Sequence, residues 1–267
     1  MLLAQVLVQA CILYPARPWE AVSWPSFWLT TLSTVAVGAG GYAINDYYDV
    51  KIDAVNRPRR RVVGRGGLTR RRTMLLHLVL SVGGVAAGVA VGWAVGAIAL
   101  GSALALWAYS AQLKKRLLVG NLVVAALGAA MVLVVEVAAR THSRTVWAYA
   151  ALAALLTLIR EIIKDAEDVR GDARFNCRTL PIVVGLPRTK AVLYGLVAAL
   201  AGALLLVMAL RPEAWRFNGF LLMTVLVPLG LVVAWLRRAD RRLHFARLSA
   251  VGKLLMLAGV LSMLLYY

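Results

Sequence analysis

Asn45-Asp46-Tyr47-Tyr48-Asp49-Val50-Lys51-Ile52-Asp53 is the stretch on which the reading of this chain turns, because it has a second copy. Asp46, Asp49 and Asp53 follow the spacing D-x-x-D-x-x-x-D, and Asp165, Asp168 and Asp172 repeat it 119 residues later. On a helix, positions i, i+3 and i+7 share one face, so each copy presents a row of carboxylates in one direction. The chain has only 12 acidic residues, and with Glu161 and Glu167 eight of them lie in these two stretches. Two equivalent acidic faces in an otherwise basic, apolar chain suggest a shared divalent-cation site.

With 61% hydrophobic residues over 267 positions, the composition is far above the roughly 45–50% of soluble domains. Nine apolar segments are expected, roughly 1–14, 27–44, 74–91, 94–110, 118–138, 145–163, 188–210, 217–236 and 248–267. The pattern predicts an all-α polytopic membrane protein, a single transmembrane domain over 1–267. The first segment has no basic start and no small-residue cleavage site, so it does not read as a cleavable signal. It is short for a hydrocarbon core of ~30 Å, which takes about 20 helical residues. The break at Gly92–Trp93 is tight enough that one long helix is an alternative there. Glycines at 84, 88, 92 and 96 recur every fourth residue, which suits close helix packing. Cys11 and Cys177 lack metal-ligand spacing and read as free thiols.

The net charge of +18 suggests an anionic partner, and its placement says which. Loops 45–73, 111–117, 160–190 and 236–247 carry nine, three, seven and five Lys/Arg, whereas loops 15–26, 92–94, 139–146 and 211–216 carry one, none, two and two. The positive-inside rule puts the first set in the cytoplasm, with the N-terminus inside and the C-terminus outside. Charge confined to one membrane face points to lipid headgroups and phosphorylated substrates rather than nucleic acid. Both acidic motifs fall on that face, four segments apart, so the chain reads as two related halves plus a ninth helix, holding a site between them.

Charge balance against Lys51, Arg57, Arg59, Arg60, Arg61, Lys164 and Arg170 is the plain reading of the acids, but it leaves the repeated spacing unexplained. Mg²⁺ prefers a few carboxylate oxygens and shares its other positions with water and phosphate. Two facing clusters would clamp a diphosphate between two ions, and Asn45 would add a carbonyl oxygen. Arg57, Arg60, Arg160 and Lys164 lie close enough in sequence to contact phosphate oxygens. Metal and cations at a leaving group stabilise the charge that develops as a C–O bond breaks. An allylic diphosphate suits such a site, with its hydrocarbon tail among the apolar helices.

These motifs resemble those of the UbiA-type intramembrane prenyltransferases: Asn45-Asp46-x-x-Asp49-x-x-x-Asp53 the first, Asp165-x-x-Asp168-x-x-x-Asp172 the second. The likeness covers nearly the whole chain. The stretch from Arg160 to Asp172 followed by Thr179-Leu180-Pro181 is similar to the branch that makes archaeal-type ether lipids, and Tyr109-Ser110-x-x-Leu113-Lys114 looks like a family loop that closes over the diphosphate. The resemblance implies Mg²⁺-dependent transfer of a geranylgeranyl group onto geranylgeranylglyceryl phosphate in a cell membrane, bacterial or archaeal. By it, Asn45, Asp49 and Asp53 hold one ion and Asp168 and Asp172 the other, with Asp165 a ligand or a neighbour of one. Arg57, Lys114 and Lys164 bind diphosphate, Arg60 and Arg160 assist, Tyr109 stabilises the allylic cation with its ring, hydrogen-bonds the diphosphate or simply packs, and Asp46 is a ligand or the base for the acceptor hydroxyl. The chain departs from the family after Asn56-Arg57-Pro58-Arg59-Arg60, where Arg61-Val62-Val63-Gly64 replaces a second proline motif.

Two rivals remain at this level. An aromatic acceptor, as in quinone, haem or chlorophyll synthesis, keeps the chemistry and changes the pocket. A cation-coupled transporter would be expected to hold its acids near mid-membrane. His77, His142 and His244 have no ligand spacing. Glu136 is expected to snorkel or to pair with Arg140 at i+4, and Gly38-x-Gly40 leads into no dinucleotide-binding unit.

Overall fold

In the computed structural model, residues 1–56, 63 and 67–266 are described, and among them the regular structure is helical. Eight helices are long and apolar enough to cross a membrane, and a ninth apolar helix, α1 (Leu2–Leu13), is shorter. After the short α2 (Pro18–Ser23) the chain continues through α3 (Pro25–Asn56), α4 (Arg70–Val91), α5 (Trp93–Ala111), α6 (Val119–Ala139), α7 (Arg144–Arg174) and α8 (Leu180–Ala209). It ends with α9 (Trp215–Arg238) and α10 (Arg242–Leu265). The chain is an integral membrane protein.

Two features of this architecture place the site. α3 and α7 have 32 and 31 residues, so at 1.5 Å per residue each is about 46–48 Å long, well beyond a ~30 Å hydrocarbon core. The apolar segments expected at 27–44 and 145–163 stop short of the aspartates, whereas the helices run on through both motifs. No proline or glycine interrupts Tyr42–Asn56, and in α7 the first glycine after the apolar run is Gly171. Three helices separate α3 from α7, so the two acidic ends emerge on the same face. On the opposite face, exposed Trp19, Trp93, Trp147 and Trp215 sit at helix ends, as interfacial tryptophans do.

Gly92 settles the break between α4 and α5: its extended backbone (φ 163°, ψ 159°) ends one helix and starts the next. Gly84 and Gly88 are contact points, where a Cβ would lie 3.0 Å from the Ser33 carbonyl and 2.9 Å from Ser33 Oγ respectively. His77 serves the same interface, with Nδ1 3.0 Å from the Gly40 carbonyl on α3. Gly38-x-Gly40 is thus packing surface, with Met1 against Gly38 and Ser81 against Gly40. Short α1 is fastened by Gln5, whose fully buried amide donates to Thr34 Oγ1 (3.0 Å) on α3 and to the Met131 carbonyl (3.1 Å) on α6.

Glu136 departs from its expectation. It neither snorkels nor pairs with Arg140 but is 3% exposed, and its carboxylate accepts the Ser143 N–H at 2.6 Å, fixing the turn into α7. α8 begins earlier than expected, at Leu180, and is kinked at Gly185, whose φ of 78° is left-handed, two residues before Pro187. Cys11 and Cys177 are free. The largest apolar core lies within α7–α10, around Ile162, Leu193, Leu200, Leu236 and Phe245.

Replacing Gly84 by Ala is expected to lower the thermal unfolding midpoint in detergent. The new methyl meets backbone that cannot rotate away, costing roughly 1–3 kcal/mol. Gly83→Ala is the control: nothing lies within 4 Å of its Cβ, so only the helix-propensity gain of about 1 kcal/mol remains. Equal midpoints for the two variants would remove the close approach of α3 and α4 from the account.

Candidate functional site

One stripe of α3, Gly38, Gly41, Tyr42 and Asn45, lines a cavity of about 420 Å³ that also takes in Tyr109, Arg160, Glu161 and Lys164. These recur at three- and four-residue steps, the spacing of one helix face. Asp49 continues that stripe one turn beyond Asn45, as Asp168 lies one turn beyond Lys164. The apolar cavity therefore ends where the two acidic rows begin.

The rows face each other. Asp172 interacts electrostatically with Asp168 on its own helix, with Asp49 across the gap, and with Lys164 and Lys114. Tyr109 lies in the field of Lys164, Glu161, Asp165 and Asp49. Asp46 is coupled to Asp49 on its own helix. Residues far apart in the chain thus gather at one membrane edge. A carboxylate there is costly unless it is solvated, paired or bound to a cation.

Each partner is held in turn. Lys114 Nζ donates to Asp49 Oδ1. Lys114 lies in the short turn Leu113–Lys115, and that turn rests on Gly120, where a Cβ would lie 2.8 Å from the Lys114 Cα. Asn121 Nδ2 donates to Asp165 Oδ2 at 2.8 Å, tying α6 to the second motif. Glu161, 5% exposed, pairs with Arg160 on one oxygen and with Lys164 at 3.6 Å on the other. The Arg178 N–H reaches the Lys115 carbonyl at 2.9 Å, joining the turn after α5 to the segment after α7. Beside the first motif, the Arg70 guanidinium stacks 4.8 Å over the Tyr47 ring.

Among the described residues no three His, Cys, Asp or Glu side chains converge as a ready metal cage. Arg57, Arg60 and the Asp53 side chain lie outside the described residues, as does the arginine-rich stretch that departs from the family pattern. The donor set still fits Mg²⁺: its oxygens come from carboxylates and one amide, without thiolate or imidazole. Asp49 also already draws a cation, the Lys114 ammonium.

Tyr109 and Ser110 end α5 rather than forming a loop, and the turn proper is Leu113–Lys115. Sequence reasoning passed over Asn121 and the buried role of Glu161. The signal for Asn121 was present, since it is the one polar side chain between Leu117 and Val135. An amide isolated in an apolar helix needs a partner.

Comparison with known proteins supplies the family and the fold. The chain matches the model of the UbiA prenyltransferase family over residues 6–266. It is 34% identical to digeranylgeranylglyceryl phosphate synthase of Ignicoccus hospitalis, covering 88% of this chain and 80% of that protein. Its fold is that of a UbiA homolog from Aeropyrum pernix K1 (TM-score 0.70, 20% identity, 98% and 96% of the two chains). It is also that of a UbiA homolog from Archaeoglobus fulgidus bound to DMAPP and Mg²⁺ (TM-score 0.67, 17% identity, 98% and 94%).

Cys177, whose N–H donates to the Asp172 carbonyl at 2.9 Å, gives a probe of this end of α7. Burial first, and the Asp172 charge second, push its thiol up to about 11. A raised thiol pKa leaves the unreactive protonated form dominant at neutral pH. Alkylation of Cys177 in the folded protein is therefore expected to be slow at pH 8 and to rise about tenfold per pH unit towards 11. Mass spectrometry of the labelled chain checks this, and a reaction already at its plateau at pH 8 would contradict it.

Proposed function

The chain belongs to the UbiA prenyltransferase family, and from that membership we infer the substrates and the roles of the residues. It is a membrane prenyltransferase. The donor is an allylic prenyl diphosphate, most suitably geranylgeranyl diphosphate, and the acceptor is geranylgeranylglyceryl phosphate. The supporting observation is the meeting of Asp49 and Asp172, 123 residues apart, at the end of an apolar cavity that also carries Arg160 and Lys164. An acidic pair suits metal and diphosphate, the cavity suits a hydrocarbon chain, and Arg160 and Lys164 on its wall suit phosphate oxygens. The relatives named for this acceptor, such as the Ignicoccus hospitalis protein, support the same choice.

In this reading Asn45, Asp49 and Asp53 hold one Mg²⁺ and Asp168 and Asp172 a second, while Asp165, engaged by Asn121, orients that second group. Bound Mg²⁺ neutralises diphosphate charge and so makes it a better leaving group. Lys164 and Lys114 bind diphosphate oxygens, Lys114 by moving from Asp49 once that carboxylate has a new partner. Arg57 and Arg60 belong to the same role. The donor C1–O bond breaks, diphosphate departs with the bond electrons, and Tyr109 faces the allylic cation with its ring. The acceptor hydroxyl oxygen then bonds to C1, and its proton passes to Asp46. Arg160, clamped by Glu161, is placed for the acceptor phosphate. The chain acts as one domain, with its acidic face and cavity mouth in the cytoplasm, its N-terminus inside and its C-terminus outside, as the basic loops require.

Purified protein with Mg²⁺, labelled geranylgeranyl diphosphate and geranylgeranylglyceryl phosphate is expected to give a doubly prenylated ether lipid. Product should disappear with EDTA and fall by about 100-fold or more in Asp49→Ala and Asp168→Ala. Asn121→Leu, which removes the hydrogen bond to Asp165, should cost roughly 10–100-fold. Product from an aromatic acid but not from the glycerophosphate would overturn the acceptor, and Mg²⁺-independent transfer would overturn the metal assignment.

A further inference from the structure

Lys253 is the only charged residue between Arg247 and Leu265, in the apolar middle of α10. It stands eleven residues from Arg242 and twelve from Leu265, about 16–18 Å from either end of the helix. It is exposed, and among the described residues it has no hydrogen bond or ion pair. An ammonium at that depth is costly to leave alone. Snorkelling carries it along the helix, but the next charge that way is Arg247, another cation about 9 Å off.

Its neighbours put it at the rim of the site. α10 runs antiparallel to α7, with Ser262 beside Tyr149 and Gly252 beside Arg160. A Cβ on Gly252 would lie 3.5 Å from Arg160 Cγ, so Lys253 stands at the depth of Arg160. Met256, one turn on and about 60° round the helix, lines the site cavity together with Arg160. Val260, two turns on, shares the face of Lys253 and packs against the cluster that seats Leu7, Val8 and Ile12 of α1. Lys253 is therefore on the α1 side of α10, next to the glycine on which the Arg160 stem lies and away from the core that takes Phe245, Leu248 and Leu255.

We propose that Lys253 is the second cation for the phosphate of the acceptor, acting beside Arg160. The inference rests on the reading of the chain as a prenyltransferase with a lipid phosphomonoester as acceptor. Such a phosphate carries about −1.5 to −2 charges at neutral pH, so one cation does not balance it. Arg160 is already shared with Glu161, and its Nε is buried without a hydrogen-bond partner. Lys164 draws on the same carboxylate and serves the diphosphate in that reading. Lys253 is then the cation at the depth of Arg160 that no anion of the described chain holds. Gly252 keeps the space beside them open, since it projects no side chain. Lys253 touches neither acidic motif, so it selects the acceptor and leaves bond cleavage at the donor alone.

The test varies acceptor and donor separately, in neutral detergent so that no anionic lipid competes. Wild type, Lys253→Met and Lys253→Arg are given geranylgeranyl diphosphate with either geranylgeranylglyceryl phosphate or geranylgeranylglycerol, which lacks the phosphate. Methionine keeps most of the stem without the charge. The expected result is a KM for the phosphorylated acceptor raised about tenfold or more in Lys253→Met and largely restored in Lys253→Arg, with donor KM and thermal unfolding midpoint unchanged. The phosphate-free acceptor should not distinguish the three proteins. An unchanged acceptor KM overturns the inference and leaves Lys253 to lipid headgroups. A loss that is equal with the phosphate-free acceptor, or that falls on donor KM, overturns it as an effect of packing. A wild type that transfers to neither acceptor overturns the functional reading and this one with it.

Discussion

The ion pair between Asp49 and Lys114 is the contact on which the site depends. It joins the end of α3 to the turn after α5, and Asp172 on α7 stands within the field of both partners. A carboxylate at a membrane edge has three ways to be stable, solvation, an ion pair or a bound cation, and Asp49 is held by the second, the Lys114 ammonium. Gly120 places that ammonium, because only a residue without Cβ lets the Leu113–Lys115 turn lie on the start of α6. The ties from Arg178 to Lys115 and from Asn121 to Asp165 draw the second motif to the same place.

The length of α3 and α7 is the other half of the arrangement. Helices longer than the hydrocarbon core carry their acidic turns to the solvated edge, where charge is affordable, while their apolar turns still wall the cavity. Carboxylates and cavity wall are thereby supplied by successive turns of the same two helices. A transporter site at mid-membrane would need the carboxylates some two to three turns deeper, at the level of Gly41 and Thr157.

Fold class and site were legible for different reasons. Long apolar runs broken by charged loops specify membrane helices one segment at a time, without tertiary information. The acidic repeat was legible because two copies with one spacing constrain each other. The ends of α3 and α7 were not, since hydropathy ends where polarity begins although the helix continues. Glu136 was misread because its i+4 neighbour Arg140 offers a sequence-local partner, whereas the turn at Ser143 supplies a backbone N–H that only the folded chain brings near. Glu161 was counted as one more acid, because its burial between Arg160 and Lys164 is a property of packing. The cavities are absent from the sequence altogether, being shapes left between helices.

The central claim is that the two acidic helix ends form one site rather than two. A double-mutant cycle on binding tests it most directly: the affinity of an unreactive geranylgeranyl thiodiphosphate with Mg²⁺ for wild type, Asp49→Ala, Asp172→Ala and the double variant. A shared site predicts that the second substitution costs far less once the first is made, with a coupling energy of roughly 1–3 kcal/mol. Losses that add to within about 0.5 kcal/mol would mean independent sites and would contradict the account.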